Sequence, residues 1–377
     1  MILTRTYERD YYGLVTKINH PGGRYTRYCY DKLGRVIRTD YYDKTYENFT
    51  YNKNGALIEV ENQYGKVKFE RDSLGRITKE WQARQFFYDE EGNLAKKIEP
   101  DGGTWTYRYF GNGMLREVTR PDKSCVSFQY DTFGRRIEKS VTSIHSKGVS
   151  EGRQQKVIRF LWNGNNLFHE WEEKCTVGRR KTENKVDFKA DYILKLEKRE
   201  EEKAKKEAGQ GENIPDNLIT WVFQDDFIPR GKITKDGNYS IISDYLGTPV
   251  EAYDEEGKKV WERNLDIYGR VKTEEALGEK NLIPFRFQGQ YEDEETGLYY
   301  NRFRYYSPEE GCYTQQDPIG LAGGNPTLYG YVYDTLCELD PFGLGRMPSW
   351  MTTRKGWQRH HLIPVSVWDK YFILSEA

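Results

Sequence analysis

A short phrase built on tyrosine, aspartate and glycine recurs in this chain, and it constrains the fold more than any other feature. The phrase reads YDKLGRVI from Tyr30, YNKNGALI from Tyr51, RDSLGRIT from Arg71, YDEEGNLA from Tyr88, YFGNGMLR from Tyr109 and YDTFGRRI from Tyr130. Successive glycines of this phrase are separated by intervals of 17 to 21 residues, which leaves room for two strands and two turns per repeat. Asp or Asn accepts backbone N–H bonds in a turn, and glycine supplies the positive φ. Because one hairpin is marginal in water, the hairpins must stack into one long sheet.

The composition fits such a sheet. Apolar residues make up 37% of the 377 residues and mean hydropathy is -0.89, which would suit disorder if the chain did not contain 30 tyrosines and 35 glycines. Tyrosine packs its ring, and we expect its hydroxyl to stay in water. The 58 basic and 59 acidic residues nearly cancel, so most of the surface is not predicted to bind nucleic acid.

The cysteines do not suggest a disulfide or zinc framework, and no apolar run suggests a membrane span. The five cysteines are far apart and lack CxxC spacing, so neither a zinc cluster nor a disulfide framework is predicted. The chain contains no apolar run of about 18 residues, and a charged and apolar leader does not follow Met1. We therefore predict neither a membrane span nor a Sec signal in this chain.

The repeat pattern is lost between Cys175 and Gly211. In KLEKREEEKAKKE, residues 195–207, 11 of 13 residues are charged, with Glu and Lys paired four residues apart. This composition favours a solvated helix or a flexible insertion loop, and a partner-binding segment is the alternative.

Longer phrases in the second half resemble a known family. They include DYLGTPVEAYDEEGKKVWERNLDIYGRV, FRYYSPEEGCYTQQDPIGLAGGNPTLYGYVYD and DPFGL. Together with the repeats, they resemble RHS/YD-repeat proteins with an RHS repeat-associated core domain, over essentially residues 1–344. The resemblance implies an all-β fold of stacked hairpins in a spiralling, shell-like sheet closed by the core domain. It also implies that the shell encloses a C-terminal toxin, which the core cuts free by autoproteolysis.

The resemblance divides the chain into four parts. They are a YD-repeat shell at 1–142, its continuation with the charged insert (about 175–211) at 143–242, the core domain at 243–344, and the start of a variable toxin domain at 345–377.

Two DPxGL phrases begin at Asp317 and Asp340. On spacing alone they are favoured as turns, in which Asp caps, Pro fixes φ and Gly takes the left-handed position. The resemblance implies instead an aspartic-type self-cleaving peptidase that cuts between Leu344 and Gly345. Such hydrolysis needs one ionised carboxylate to take a proton from water and one protonated carboxyl group to polarise the carbonyl.

Nearby residues depart from the family pattern. Gln316 stands where the family often has a basic residue, which removes an electrostatic helper. Thr335 replaces a proline, which affects positioning, and Asp334 is an alternative member of the acid pair.

The phrase GWQRHHLIP near the C-terminus resembles the opening strand of HNH/AHH-type nuclease toxins. By position, His360 would bind a divalent metal ion and His361 would be the general base. Adjacent histidines on a strand can also be one buried and one exposed ring. Since no histidine follows His361, we expect an incomplete site and weak or no nuclease activity from this chain alone. No cofactor is expected for shell and core.

The leading hypothesis is therefore a polymorphic toxin used in interbacterial competition, secreted or delivered to the cell surface from bacteria without a Sec signal. Its expected partners are the enclosed toxin segment, a cognate immunity protein and export machinery such as a type VI or other secretion system. Nucleic acid enters only as the toxin's substrate. The alternatives are an adhesive or carbohydrate-binding surface protein without processing, and an inert remnant with a truncated toxin.

Overall fold

The structure is a computed structural model, and it describes residues 5–80, 84–145, 152–174, 215–224, 227–325, 327–345 and 347–348. Apart from two 3₁₀ turns, Pro21–Gly23 and Gly320–Gly323, these residues form β-strands, turns and loops. The predicted all-β fold is confirmed. The charged insert and residues 349–377 lie outside the described residues.

Twenty-two strands form one antiparallel sheet in which each strand pairs with the next along the chain. They are β1 Thr6–Arg9, β2 Val15–Asn19, β3 Tyr25–Tyr30, β4 Val36–Tyr41, β5 Tyr46–Tyr51, β6 Leu57–Asn62, β7 Gly65–Arg71, β8 Ile77–Glu80, β9 Gln85–Tyr88, β10 Leu94–Ile98, β11 Thr104–Tyr109, β12 Leu115–Thr119, β13 Cys125–Tyr130, β14 Arg136–His145, β15 Gly152–Asn163, β16 Asn166–Lys174, β17 Ile219–Gln224, β18 Ile228–Thr234, β19 Gly237–Ser243, β20 Pro249–Tyr253, β21 Lys259–Leu265 and β22 Val271–Ala276. A second antiparallel sheet contains β23 Tyr291–Asp293, β24 Leu298–Asn301, β25 Arg304–Ser307 and β26 Cys312–Tyr313. Finally, β27 Glu338–Leu339 pairs with β28 Met347–Pro348.

Each repeat phrase forms a hairpin turn, of which the turn at Asp31 is an example. The Asp31 carboxylate accepts the backbone N–H groups of Leu33 at 2.9 Å and Arg35 at 3.0 Å. Gly34 has a φ of +78°, and its N–H donates to the Asp31 carbonyl at 3.1 Å. The Arg35 side chain then donates to the Asp31 carboxylate at 2.7 Å. The turn at Asp72 repeats this arrangement, so the phrase sets the register of the strands on both sides.

The tyrosine of the phrase couples one repeat to the next. Its hydroxyl donates to a backbone carbonyl 15 residues earlier, at 2.7 to 2.9 Å, in the pairs Tyr30 and Val15, Tyr51 and Val36, Tyr109 and Leu94, and Tyr130 and Leu115. Where Arg71 replaces the tyrosine, its Nε group donates to the Leu57 carbonyl at 2.9 Å. The prediction that these hydroxyls stay in water is therefore wrong, because they bind the backbone of the neighbouring repeat.

Replacing Tyr109 with phenylalanine is expected to lower the free energy of unfolding by about 1–3 kcal/mol, because the Leu94 carbonyl loses a buried partner. Urea denaturation followed by tryptophan fluorescence measures this change. Tyr64→Phe is the matched control, since Tyr64 is 86% exposed and its substitution is expected to change stability by no more than about 0.5 kcal/mol. Equal losses in the two variants would contradict the role of the Tyr109 hydroxyl.

The long sheet curls until its early hairpins reach its late ones. Arg24, which precedes β3, forms an ion pair with Glu262 of β21. The hydroxyl groups of Tyr51 and Tyr268 share a hydrogen bond of 3.1 Å, although the two residues are 217 positions apart. The long sheet is therefore a spiralling, shell-like sheet, as predicted.

The four-stranded sheet packs against the long sheet. Buried Arg136 of β14 lies 2.5 Å from buried Asp293 of β23, and the Tyr300 hydroxyl of β24 donates to the Gly134 carbonyl at 3.2 Å. Aromatic side chains from both sheets share one hydrophobic cluster. These contacts fix the strands that carry the candidate site, while the domain boundaries inferred from the family stay predictions.

Candidate active site

The two DPxGL phrases come together in the fold. Asp317 lies just before the second 3₁₀ turn, and Asp340 directly follows β27. Each phrase forms its turn, since the Gly320 N–H donates to the Asp317 carbonyl at 2.9 Å and the Gly343 N–H donates to the Asp340 carbonyl at 3.3 Å. Both aspartates are buried. The turn interpretation is therefore correct. Both carboxyl groups are buried, and charges interact more strongly there than in water.

One arginine joins the two aspartates. Arg304 of β25 is 1% exposed, and its Nη2 atom lies 3.1 Å from Asp317 Oδ2 and 3.2 Å from Asp340 Oδ2. Its Nε and Nη1 groups donate to the carbonyls of Gly343 and Leu328, which fixes the guanidinium plane. Arg304 was not predicted from the sequence. The sequence signal that could have identified Arg304 is its position between aromatic residues in RFRYY. The structure shows that every side chain of this strand is buried.

Asp340 accepts further hydrogen bonds. The Tyr313 hydroxyl donates to Asp340 Oδ2 at 2.9 Å, and the Leu344 N–H donates to Asp340 Oδ1 at 2.9 Å. The Asn301 amide donates to the Tyr313 hydroxyl at 2.6 Å and to the Asp340 carbonyl at 2.9 Å. Because hydrogen bonds to a carboxylate favour its ionised form, these donors oppose the effect of burial on Asp340.

Asp317 has fewer donors. Besides Arg304, its carboxylate accepts the N–H of Ile319 at 3.0 Å. Burial raises the pKa of Asp317 to about 6, and the nearby Arg304 charge opposes this shift. Burial also raises the pKa of Asp340, which Arg304, the Tyr313 hydroxyl and backbone N–H groups oppose. The pair therefore suits a division into one ionised and one protonated carboxyl group.

The predicted scissile bond lies beside both aspartates. A Cβ atom added to Gly323 would stand 2.7 Å from Asp317 Oδ2 and 2.8 Å from the Leu344 carbonyl oxygen, so these two oxygens border the same point. A Cβ atom on Gly345, whose φ is +142°, would stand 2.5 Å from the Gly323 carbonyl oxygen. Glycine is required at both positions because no side chain fits between the two backbones. The Leu344 carbonyl thus lies near Asp317, while the Leu344 N–H, which belongs to the preceding peptide unit, binds Asp340.

An apolar pocket holds the side chain on the N-terminal side of this bond. Leu344 is 7% exposed and clusters with Phe303 and Phe342, with Phe227 and Ile319 packed against them. Such packing restricts the peptide to one position relative to the acids, which is a requirement for efficient reaction.

Gln316 does not contribute to this site. Its amide lies against the sheet turn at Gly92, where an added Cβ atom would stand 2.1 Å from Gln316 Nε2. The positive charge beside the acid pair comes from Arg304 of another strand, and the effect of Gln316 on the pair stays a prediction.

Asp334 does not replace either member of the acid pair. Its carboxylate accepts the Leu336 N–H at 2.9 Å and the Cys337 thiol at 2.7 Å within its own turn. The neighbouring Thr335 hydroxyl donates to the Ile267 carbonyl at 2.7 Å and so ties this loop to the long sheet.

The nuclease-like motif lies outside the described residues. His360 and His361 are both in that segment, so their metal-binding and general-base roles stay predictions. Within the described ranges, no group of three or more His, Cys, Asp or Glu residues is placed to hold a metal ion. The described part of the chain also contains no helix that is long and apolar enough to cross a membrane.

The chain is similar to known proteins over most of its length. A family model described as the Teneurin YD-shell matches residues 2–146. Toxin protein Tse5 of Pseudomonas aeruginosa is 30% identical over 363 residues, which cover 90% of this chain and 25% of that protein. Double-stranded DNA deaminase toxin A of Burkholderia cenocepacia is 29% identical over 348 residues, which cover 91% of this chain and 22% of that protein. The chain belongs to the RHS/YD-repeat proteins.

Other relatives of this RHS/YD-repeat chain are also much longer than it is. Probable deoxyribonuclease RhsA of Dickeya dadantii is 28% identical over 370 residues, which cover 92% of this chain and 21% of that protein. The chain thus spans a quarter or less of the length of these three curated relatives. Among solved structures, a TcdB2-TccC3-TEV crystal structure is 17% identical and covers 91% of this chain and 19% of that chain, with a TM-score of 0.45.

Proposed function

We propose that this RHS/YD-repeat chain is the shell and core part of a polymorphic toxin, and that it releases a C-terminal effector by cutting its own Leu344–Gly345 bond. The observation that carries the proposal is the contact of Arg304 with both Asp317 and Asp340 beside that bond. An adhesive surface protein, the alternative from the sequence, has no need of two buried acids at one peptide bond.

The proposed reaction uses the two acids in different roles. Protonated Asp317 donates a hydrogen bond to the Leu344 carbonyl oxygen, and ionised Asp340 takes a proton from the water that attacks the carbonyl carbon. The C–N bond then breaks as a proton moves to the Gly345 nitrogen. One water is consumed, and the products are a Leu344 carboxylate and a Gly345 amine. Arg304 holds the acids together and balances their charge through the reaction.

The effector is proposed to act on nucleic acid. The names of two relatives, a double-stranded DNA deaminase toxin and a probable deoxyribonuclease, refer to DNA. Residues 345–377 are proposed to begin a metal-dependent nuclease, with His360 as a ligand of a divalent ion and His361 as the base. The proposed partners of the assembled toxin are an immunity protein and a secretion machinery, such as a type VI system, that delivers it from a bacterium for competition with other bacteria.

Self-cleavage is tested on the wild-type chain. After folding at neutral pH, we expect intact-mass measurement and N-terminal sequencing to identify a fragment that starts at Gly345. A fragment that starts at Pro341 would instead reflect the acid lability of an Asp-Pro bond, so acid must be kept out of the preparation. A folded chain that stays whole for days at pH 5 to 7 would contradict the proposal.

A further inference from the structure

The pocket that holds Leu344 has walls from two parts of the fold. Phe303 and Ile319 belong to the four-stranded sheet and to the loop that follows it. Phe227 belongs to the long sheet, where it directly precedes β18. Its ring meets the Phe342 ring edge-on, with the ring centroids 5.1 Å apart and the planes at 90°. The long sheet therefore contacts the segment that carries the proposed scissile bond.

The backbone of Phe227 is held in an unusual conformation. Its φ is +52°, in the left-handed region that a residue with a bulky side chain rarely adopts. Its N–H donates to the side-chain oxygen of Asn166, the first residue of β16, at 3.0 Å. Strain of this kind persists only where the surroundings hold it, and it collects at positions that have a role. The conformation therefore points to a task for the ring where it meets Phe342.

The segment around the proposed scissile bond depends on side-chain contacts as well as on hydrogen bonds. Gly343 and Gly345 flank Leu344 with φ values of +67° and +142°, and glycine leaves the backbone freer than any other residue does. On the side of the four-stranded sheet, the Phe342 carbonyl accepts a backbone N–H at 3.3 Å. Its ring is the part that Phe227 contacts. Without that contact, the Leu344 carbonyl would be held less firmly beside the acid pair.

We infer that Phe227 is a positioning residue for self-cleavage, which seats Leu344 beside the acid pair through Phe342 once β17 and β18 have joined the long sheet. The inference rests on the proposed function and adds an order of events to it. A chain that is cut before its long sheet has formed would lose the effector before the shell can hold it. The contact between Phe227 and Phe342 makes cleavage follow the folding of the sheet, because a misplacement of about 1 Å can slow a reaction about 100-fold.

Phe227→Ala and Phe223→Ala form a matched pair of variants. Both rings are half-buried and belong to the same hairpin, but the Phe223 ring packs on Phe285, with the centroids 5.3 Å apart. Phe227→Ala is expected to slow cleavage roughly 10- to 100-fold, whereas Phe223→Ala is expected to stay within about threefold of wild type. Equal losses of rate in the two variants would contradict the inference.

Phe227→Gly separates the effect of the ring from the stability of the fold. Glycine adopts a φ of +52° without strain, so this variant is expected to unfold at a higher urea concentration than Phe227→Ala. It also lacks the ring, and it is therefore expected to cleave as slowly as Phe227→Ala. A cleavage rate that recovers together with stability would show that the rate reports on folding, and the inference would be overturned.

A double-mutant cycle with Leu344→Ala tests whether the two positions act together. Leu344→Ala is itself expected to slow cleavage, because the pocket loses the side chain that it holds. Adding Phe227→Ala to Leu344→Ala is then expected to slow cleavage by less than about threefold more, since the pocket no longer has a leucine to seat. The same roughly 10- to 100-fold loss in both backgrounds would mean that Phe227 does not act by seating Leu344.

All rates are measured by diluting the urea-unfolded chain into buffer and following the Gly345 fragment by mass spectrometry, while tryptophan fluorescence shows when each variant has folded. If the wild-type chain never cleaves, the proposed function and this inference fail together. If the wild-type chain cleaves and depends on both aspartates, while Phe227→Ala matches the wild-type rate, the inference alone is overturned.

Discussion

Replacing either Asp317 or Asp340 with asparagine is expected to slow self-cleavage by roughly 10²- to 10⁴-fold, so that the chain stays whole through an ordinary preparation. Asparagine has nearly the size of aspartate, and its amide oxygen still accepts the hydrogen bonds of the turn. Its amide cannot take or give a proton in the reaction. The fraction of intact chain, measured by mass against time, gives the effect of each substitution.

The matched control is Asp244→Asn. Asp244 is half-buried, burial raises its pKa to about 6, and its carboxylate accepts the Leu246 and Thr248 N–H groups within its own turn. This variant is therefore expected to cleave like wild type, with urea denaturation showing how much stability each substitution changes. Wild-type cleavage in both site variants would refute the assignment of the acids. A loss of cleavage in Asp244→Asn as large as in the site variants would mean that cleavage reports on folding alone.

Local sequence was sufficient to predict the turns and therefore a long sheet of stacked hairpins, whereas the spiralling shell was predicted from the family resemblance. The hydrogen bonds that form such a turn join residues of the turn itself. The sequence of the phrase at Asp31 is therefore enough to predict its local structure. The Tyr109 hydroxyl bond depends instead on which carbonyl of the previous repeat lies beneath it. Four of the tyrosines bind a carbonyl 15 residues earlier, but Tyr88 binds the Ile77 carbonyl 11 residues earlier, so the partner cannot be identified without the strand pairing.

The site was predicted in part. The family resemblance supplied Asp317 and Asp340, and the structure brings them to one cation. Arg304 was missed because an arginine in a strand is ordinarily a surface residue, and its burial becomes favourable only when two distant loops deliver two carboxylates and two carbonyls to it.

Self-cleavage is also expected to slow about tenfold for each pH unit above about 6. Burial raises the pKa of Asp317 from 3.8 to about 6, so the protonated acid predominates below that pH, and its fraction falls tenfold per unit above it. The proposed roles also require Asp340 to be ionised, so its protonation is expected to stop cleavage and to make the complete profile bell-shaped. The profile is obtained by diluting urea-unfolded chain into buffers of constant ionic strength and following the Gly345 fragment, with tryptophan fluorescence confirming that folding is faster than cleavage.

The direction of the alkaline limb distinguishes the roles of the two acids. If Asp317 were the base, cleavage would rise through pH 6 to a plateau, because the ionised form would be the active one. Asp244→Asn is again informative, since it removes a second carboxyl group whose pKa is raised to about 6. An unchanged profile in that variant would place the titration at the acid pair. A profile that moves with Asp244 would show that protonation acts on the turn between β19 and β20, and the chemistry would then need a different acid.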